Sequence, residues 1–270
     1  MRATPSAAAL ASRFVALLCL ASFALALGAV RAYALDDGGD TPQVFSFGGM
    51  CLNCELSGRK LQAARFVGGD FSGASLVGSD LRGATFFGSN FSGAHLERAD
   101  LRGANLFGSV FAGANFTAAN LAGAQARGAN LAGAILTRAD LSGAILTGVL
   151  MADVDGRDAQ FAGAQALAAN LTGGQFQRAS FRNANLAGAD LAGANFAGAD
   201  LAGANLSGAN LSGADFAGGK GLTQDQLDQA CGSGAVRLPT GLSVKPCKGG
   251  SRVIILRSSP GHGTRRAVGF

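Results

Sequence analysis

Residues Ala184 to Phe216 read ANLAGADLAGANFAGADLAGANLSGANLSGADF, a run in which Leu or Phe returns at every fifth position. The register extends back to Leu61. Of the 32 places at this spacing from 61 to 216, 28 are Leu or Phe, and the others are Ala126, Met151, Gly156 and Ala166. Two residues before each centre stands Ala, Ser or Gly in 29 of the 32 places, with Arg59, Val149 and Val154 as exceptions. A helix repeats at about 3.6 residues and a strand at about 2, so a strict period of five is neither. A period held this long marks a repeat architecture whose stacked units share one continuous core.

Within one unit the small residue and the large centre are two apart, the spacing of residues on one face of an extended segment, so both can point inward. Gly fills 23 of the 32 places two residues after the centre, where it allows the sharp, positive-φ turn that redirects the chain. Each pentapeptide is then one short side of a coil. Asp or Asn fills 18 of the 32 places just before a centre, and with that the pattern resembles the pentapeptide-repeat family, Ala-(Asp/Asn)-Leu-X-X, over residues 61 to 220. The resemblance implies an all-β fold, a right-handed quadrilateral β-helix in which four pentapeptides close one coil and residue i lies under residue i+20. Thirty-two units make about eight coils, a rod roughly 38 Å long at ~4.8 Å per coil.

Read by twenties, one inward ladder runs Phe66, Phe86, Leu106, Ala126, Leu146, Ala166, Leu186, Leu206, and another holds Gly156 between Leu136 and Phe176. A small centre that its neighbours leave unfilled costs roughly 2 to 5 kcal/mol, and a bulge or widened turn is expected over Val149 to Phe161. One outward column reads Val67, Phe87, Phe107, Arg127, Thr147, Leu167. Its first three members form a stacked apolar ridge and a candidate interface; the competing reading is that the lead-in, through Phe45 and Phe47, folds back and covers it. Arg98, Arg138 and Arg178 share one corner, roughly 10 Å apart along the rod, as a candidate anion-binding column. Arg82 and Arg102 stack on a side.

The segments outside the repeats define the remaining organisation. Residues 1–34 have Arg2 and Arg13, an apolar run Phe14 to Val30 and the small-residue site Ala32-Tyr33-Ala34, the layout of a secretory signal peptide. Residues 35–50 are a Gly- and Asp-rich flexible lead-in, and 51–220 are the solenoid. Residues 221–247 are a C-terminal cap: a short helix from Thr223 to Ala230 with capping-box spacing at Thr223 and Gln226, then a stapled loop. Residues 248–270 are a basic, disordered tail in which Val253 to Leu256 could add a short strand. Removal of 34 residues leaves 19 bases against 17 acids, so the basic balance of the full chain comes largely from the leader. From Gln229 onward there is no acid but seven Lys and Arg.

Four cysteines then remain, and in an oxidising compartment an even count points to disulfides, Cys51 with Cys54 and Cys231 with Cys247. A redox pair at Cys51–Cys54 lacks the strand-to-helix setting of such motifs, and a zinc site lacks a second CxxC. Asp153-Val154-Asp155-Gly156-Arg157-Asp158 resembles a fragment of a calcium loop, yet the closing Glu is absent, because residue 164 is Ala. His95 and His262, the only histidines, have no nucleophile or acid arranged with them as in a triad. No enzyme activity, cofactor or metal is expected.

Glu55 to Lys220 holds 12 acids and 12 bases. Some pentapeptide-repeat proteins mimic duplex DNA to engage gyrase, which requires an acidic surface and a cytosolic address, so that reading ranks third. The leading expectation is a non-enzymatic scaffold, periplasmic or secreted, presenting outward ladders to a protein or envelope partner or to a second copy of itself. The alternative is capture of an anionic polymer or envelope surface by the arginine columns and basic tail. No specific nucleic acid and no transmembrane segment after leader removal are expected.

Overall fold

A computed structural model describes residues 49 to 248 in full and residues 46, 47 and 253 to 257 as backbone. The leader, most of the lead-in, His262 and most of the tail lie outside the described residues, as does any structural outcome for them. Met1–Gln43 and Val44–Phe270 are separate units, and only the second is described below. It is a right-handed quadrilateral β-helix.

Parallel bridges join each residue just before a centre to the one twenty positions on, from Met50↔Asp70 without a break to Asp200↔Lys220. Four faces result. We number them by these bridging residues: the first from Glu55 to Asp215, the second from Lys60 to Lys220, the third from Arg65 to Asn205, the fourth from Met50 to Asn210. The centres and the small residues before them fill the interior, with Phe66, Phe86, Phe91, Phe116, Phe176, Phe196 and Phe216 completely buried. Phenylalanines twenty apart stack with ring planes nearly parallel, as in Phe161 on Phe181 at 4.6 Å between centroids, and meet their neighbours edge to face, as in Phe66 against Phe71 at 5.2 Å. Burying one such ring contributes roughly 1.5–3 kcal/mol, and ladders of them make the core continuous.

The Asp and Asn before each centre serve the turn. All eighteen accept, through Oδ1, the backbone N–H two residues on, at 2.9 to 3.3 Å. This N–H points out of the coil and has no ladder partner, so the side chain supplies one. The second turn residue has positive φ throughout the repeats, including Ala63, Arg98, Ala118, Arg138, Asp153, Asp158, Ala168, Arg178 and Asn183, at 52° to 61°.

The expected bulge over Val149 to Phe161 is absent. The ladder passes through regularly, with Gly156 N–H donating to Gln175 O at 2.7 Å, because the ring of Phe176 from the next coil occupies the space Gly156 leaves: a Cβ there would come within 2.6 Å of its Cδ1. Val154 is fully buried and brings a larger side chain inward where its own centre brings none.

Both ends are closed by the chain itself. Strand β1 (Ser46–Phe47) pairs in parallel with β2 (Arg65–Phe66), so this part of the lead-in occupies a rung below the third face. At the other end helix α1 (Gln224–Asp228), shorter than the span expected to Ala230, has the capping box between Thr223 and Gln226. It replaces the next rung of the third face: Gln226 Nε2 donates at 2.7 Å to the carbonyl of Ala204, which has no ladder partner, and at 2.9 Å to that of Leu201, which also accepts the N–H of Ala204. Leu227 and Ala230 are buried. The ladder then resumes at Asn210↔Cys231 and Asp215↔Arg237. Strand β3 (Gly234–Leu238) carries β4 (Val253–Arg257) in parallel, so the segment read as a possible strand within a disordered tail is a rung of the cap. Among the described residues no helix is long and apolar enough to cross a membrane.

Candidate interaction surfaces

The two cysteine pairs are disulfides, Cys51–Cys54 with Cα atoms 5.4 Å apart and Cys231–Cys247 with Cα atoms 4.8 Å apart. The first spans the corner between the fourth and first faces of the opening coil. The second ties the loop after α1 to the last coil, where Cys247 Sγ lies 3.6 Å from Asn210 Oδ1. Both fasten an end of the rod. Among the described residues no group of three or more His, Cys, Asp or Glu is arranged to hold a metal ion. In the Asp153 to Asp158 segment, Asp155 is held bidentately by Arg157 at 2.8 and 2.6 Å, and Asp158 by Arg178 at 2.7 Å through both oxygens.

Arg98, Arg138 and Arg178 share the corner between the first and second faces, here the charged corner, but they do not form a free column. Asp158 lies between the last two and neutralises Arg178. The signal for this pair is in the sequence, since 158 and 178 are twenty apart. The guanidinium groups of Arg98 and Arg138 have no hydrogen-bond or ion-pair partner among the described residues, although the charge of Arg138 reaches Asp158 at longer range. Arg82 and Arg102 are each bound by the Asp two residues before, Asp80 and Asp100. Hydrogen bonds from Arg82, Arg102, Arg157 and Arg178 hold the carboxyls of Asp80, Asp100, Asp155 and Asp158, respectively, below the ordinary aspartate range. Most of the charge on this side is already paired. His95 sits near Glu97, Nδ1 to Oε1 3.5 Å, a solvated pair at the edge of the first face.

Diagonally opposite, between the third and fourth faces, lies the aromatic corner. Val67, Phe87 and Phe107 project there with 38, 50 and 47 % of their surface exposed, and the rings of Phe87 and Phe107 stack at 5.7 Å with planes 6° apart. Ladder bonds at this corner are the most stretched of their kind, Gly88 N to Phe107 O at 3.4 Å and Gly108 N to Arg127 O at 3.3 Å. Ser89 and Ser109, buried beneath it, donate to the carbonyls of Phe66 and Phe86. Leu167 is exposed in the same column. Of the eight large apolar residues exposed in the described part, only Ile135 is away from the fourth face and its two corners. This sidedness was missed in the sequence, although the twenty-residue spacing carries it.

A parallel solenoid with five-residue sides, four to a coil, is a narrow class of protein. The pentapeptide-repeat pattern matches residues 54–93, 94–133, 134–173 and 179–218, and the chain belongs to the pentapeptide-repeat family. Among solved structures it is similar to HetL, a pentapeptide repeat protein involved in heterocyst differentiation regulation from the cyanobacterium Nostoc sp. strain PCC 7120: 33% identity, 68% of this chain and 86% of that one covered, TM-score 0.51. It is also similar to QnrB1, a plasmid-mediated fluoroquinolone resistance protein, at 21% identity over 77% of this chain and 91% of that one, TM-score 0.49. Comparison with curated proteins finds no match.

Proposed function

We propose that this protein is a non-enzymatic, exported scaffold, periplasmic or secreted, whose rigid rod docks through the aromatic corner. The observation that carries this reading is the half-exposed stack of Phe87 on Phe107. A half-exposed stack of two large rings on a rod whose other outward positions are mostly small or polar is the composition of an interaction patch. The anionic-polymer reading is weaker, because Asp158 takes up Arg178 and Asp80 and Asp100 take up Arg82 and Arg102. Export rests on the leader pattern together with the two disulfides.

Replacing Phe87 and Phe107 together by Ser tests the docking reading. Partner capture or self-association is lost while the melting temperature stays almost unchanged; a large loss of stability with association intact assigns both rings to the protein's own packing and overturns it. N-terminal sequencing of the protein from producing cells is expected to begin at Leu35, and intact Met1 in the cytosol would refute export.

A further inference from the structure

We infer that the aromatic corner seats this protein on an anionic lipid surface, with Phe87 and Phe107 entering between headgroups while Arg65 and Arg127 meet phosphate. The inference rests on the docking reading above and names the partner.

Shape gives the first argument. Val67, Phe87, Phe107 and Leu167 occupy one straight corner column spanning five coils, roughly 24 Å. The row is convex and one residue wide. A stable protein interface needs about 800 Å² from each partner with close complementarity, which a narrow ridge offers only to a deep groove. A lipid layer closes around an inserted edge, and binding there scales with the apolar area that enters plus attraction to anionic headgroups.

Charge gives the second, independent argument. Nine of the twelve acids between Glu55 and Lys220 lie on the first and second faces and the charged corner between them. On the third and fourth faces and the aromatic corner there is no acid between Asp70 and Asp190, and the cations from residue 55 to 220 are Arg65 and Arg127, both exposed and with no side-chain hydrogen bond or ion pair among the described residues. Arg127 follows Phe107 in the ridge column, and Arg65 begins the adjoining face. The opposite side sets seven bases against its nine acids and is close to neutral, so the attraction is local: Arg65 and Arg127 flank the ridge where no acid offsets them, and electrostatics and apolar burial act at the same corner.

The chain contains no Trp, so Phe87→Trp gives a single local fluorophore in the full-length protein. Local reading matters because the apolar run Phe14 to Val30 could itself hold the chain on vesicles. With vesicles of equimolar phosphatidylglycerol and phosphatidylcholine, Trp emission at position 87 is expected to move to shorter wavelength and to be quenched by brominated lipid. Ile135→Trp, on the first face, is expected to do neither. Adding Arg65→Gln and Arg127→Gln to the Phe87→Trp chain should weaken the position-87 response about thirtyfold, taking about fivefold for each cation. The inference is overturned if position 87 is silent on these vesicles, whether or not the chain binds them, or if position 135 responds equally. Should position 87 be silent with lipid while Phe87→Ser dissolves a dimer in solution, the ridge is a protein contact: the lipid inference falls and the docking reading stands.

Discussion

At the charged corner five successive coils place Arg98, Ala118, Arg138, Asp158 and Arg178 at the second turn position, with φ of 56°, 57°, 58°, 61° and 60°; at the aromatic corner Gly88 and Gly108 adopt 61° and 62°. The turns are superposable in backbone and opposite in dress. A residue with a Cβ pays roughly 1–2 kcal/mol to sit in the left-handed region, yet the charged corner does so coil after coil. Turn geometry is therefore imposed by the ladder and the filled core, and the corner residue is left free to set the surface.

The largest test of that division contrasts two phenylalanines. Phe91 is fully buried and touches the rings of Phe66, Phe71, Phe86 and Phe111 at 4.8 to 5.6 Å. Phe91→Ala should cost roughly 3–5 kcal/mol in denaturant unfolding, whereas Phe107→Ala, at the exposed ridge, should stay within about 0.5 kcal/mol. Equal losses would mean that the aromatic corner is part of the core.

A second test asks whether corners are interchangeable. A Cβ at Gly203 would strike Oδ1 of Asn183 in the coil below, while at Gly198 it would meet only Cγ of Arg178 at 3.7 Å. Gly198→Ala should cost about 1 kcal/mol from its backbone alone, and Gly203→Ala about 1 kcal/mol more from overpacking. Adding Asn183→Gly should remove the excess, which a double-mutant cycle in urea measures directly. Without that rescue, the collision with Asn183 is not the cause.

At the charged corner itself Arg138→Gly should raise stability by about 0.5–1 kcal/mol, by releasing the left-handed strain. A loss instead would show that the Arg138 side chain contributes more than its backbone costs. The smallest effect belongs to the pair Asp158–Arg178. Its carboxyl is held below the ordinary aspartate value by the hydrogen bonds from Arg178, so its contribution is present above the unfolded-state value near 3.8 and is lost as pH falls through the lower folded one. Asp158→Asn should therefore lower the melting temperature slightly at pH 7, less in high salt, and not at all well below pH 3.8. A difference that survives acid would point to packing.

The five-residue period made the inward ladder legible from Leu61 to Phe216, and the cap was legible in Thr223, Gln226 and the Cys231–Cys247 spacing. The four-sided coil was not. It entered through the family resemblance, because period alone does not say how many sides close a turn. The misreading at Val149 to Phe161 has the same root: Gly156 looks like a hole along the chain, and the ring that fills it, Phe176, arrives from twenty residues away. The arginine column failed likewise, since Asp158 was read with its sequence neighbours Asp155 and Arg157 rather than with Arg178 above it. Helix α1 stops at Asp228 because the chain must rejoin the fourth-face ladder at Cys231.

The parallel ladder that binds each residue to the one twenty positions on gives this molecule an unusual tolerance and an unusual vulnerability to insertion and deletion. Loss of twenty residues from the regular stretch removes one storey and leaves every later residue on its own side. Loss of five keeps a Leu or Phe pointing inward at each step, so the interior scarcely registers it, but everything beyond the cut turns by a quarter. Such a change between Phe87 and Phe107 would carry the second ring onto a different corner from the first. The rod would still fold and the ridge would be gone, so its surface can be rewritten by slippage of a repeat without a single substitution in its core.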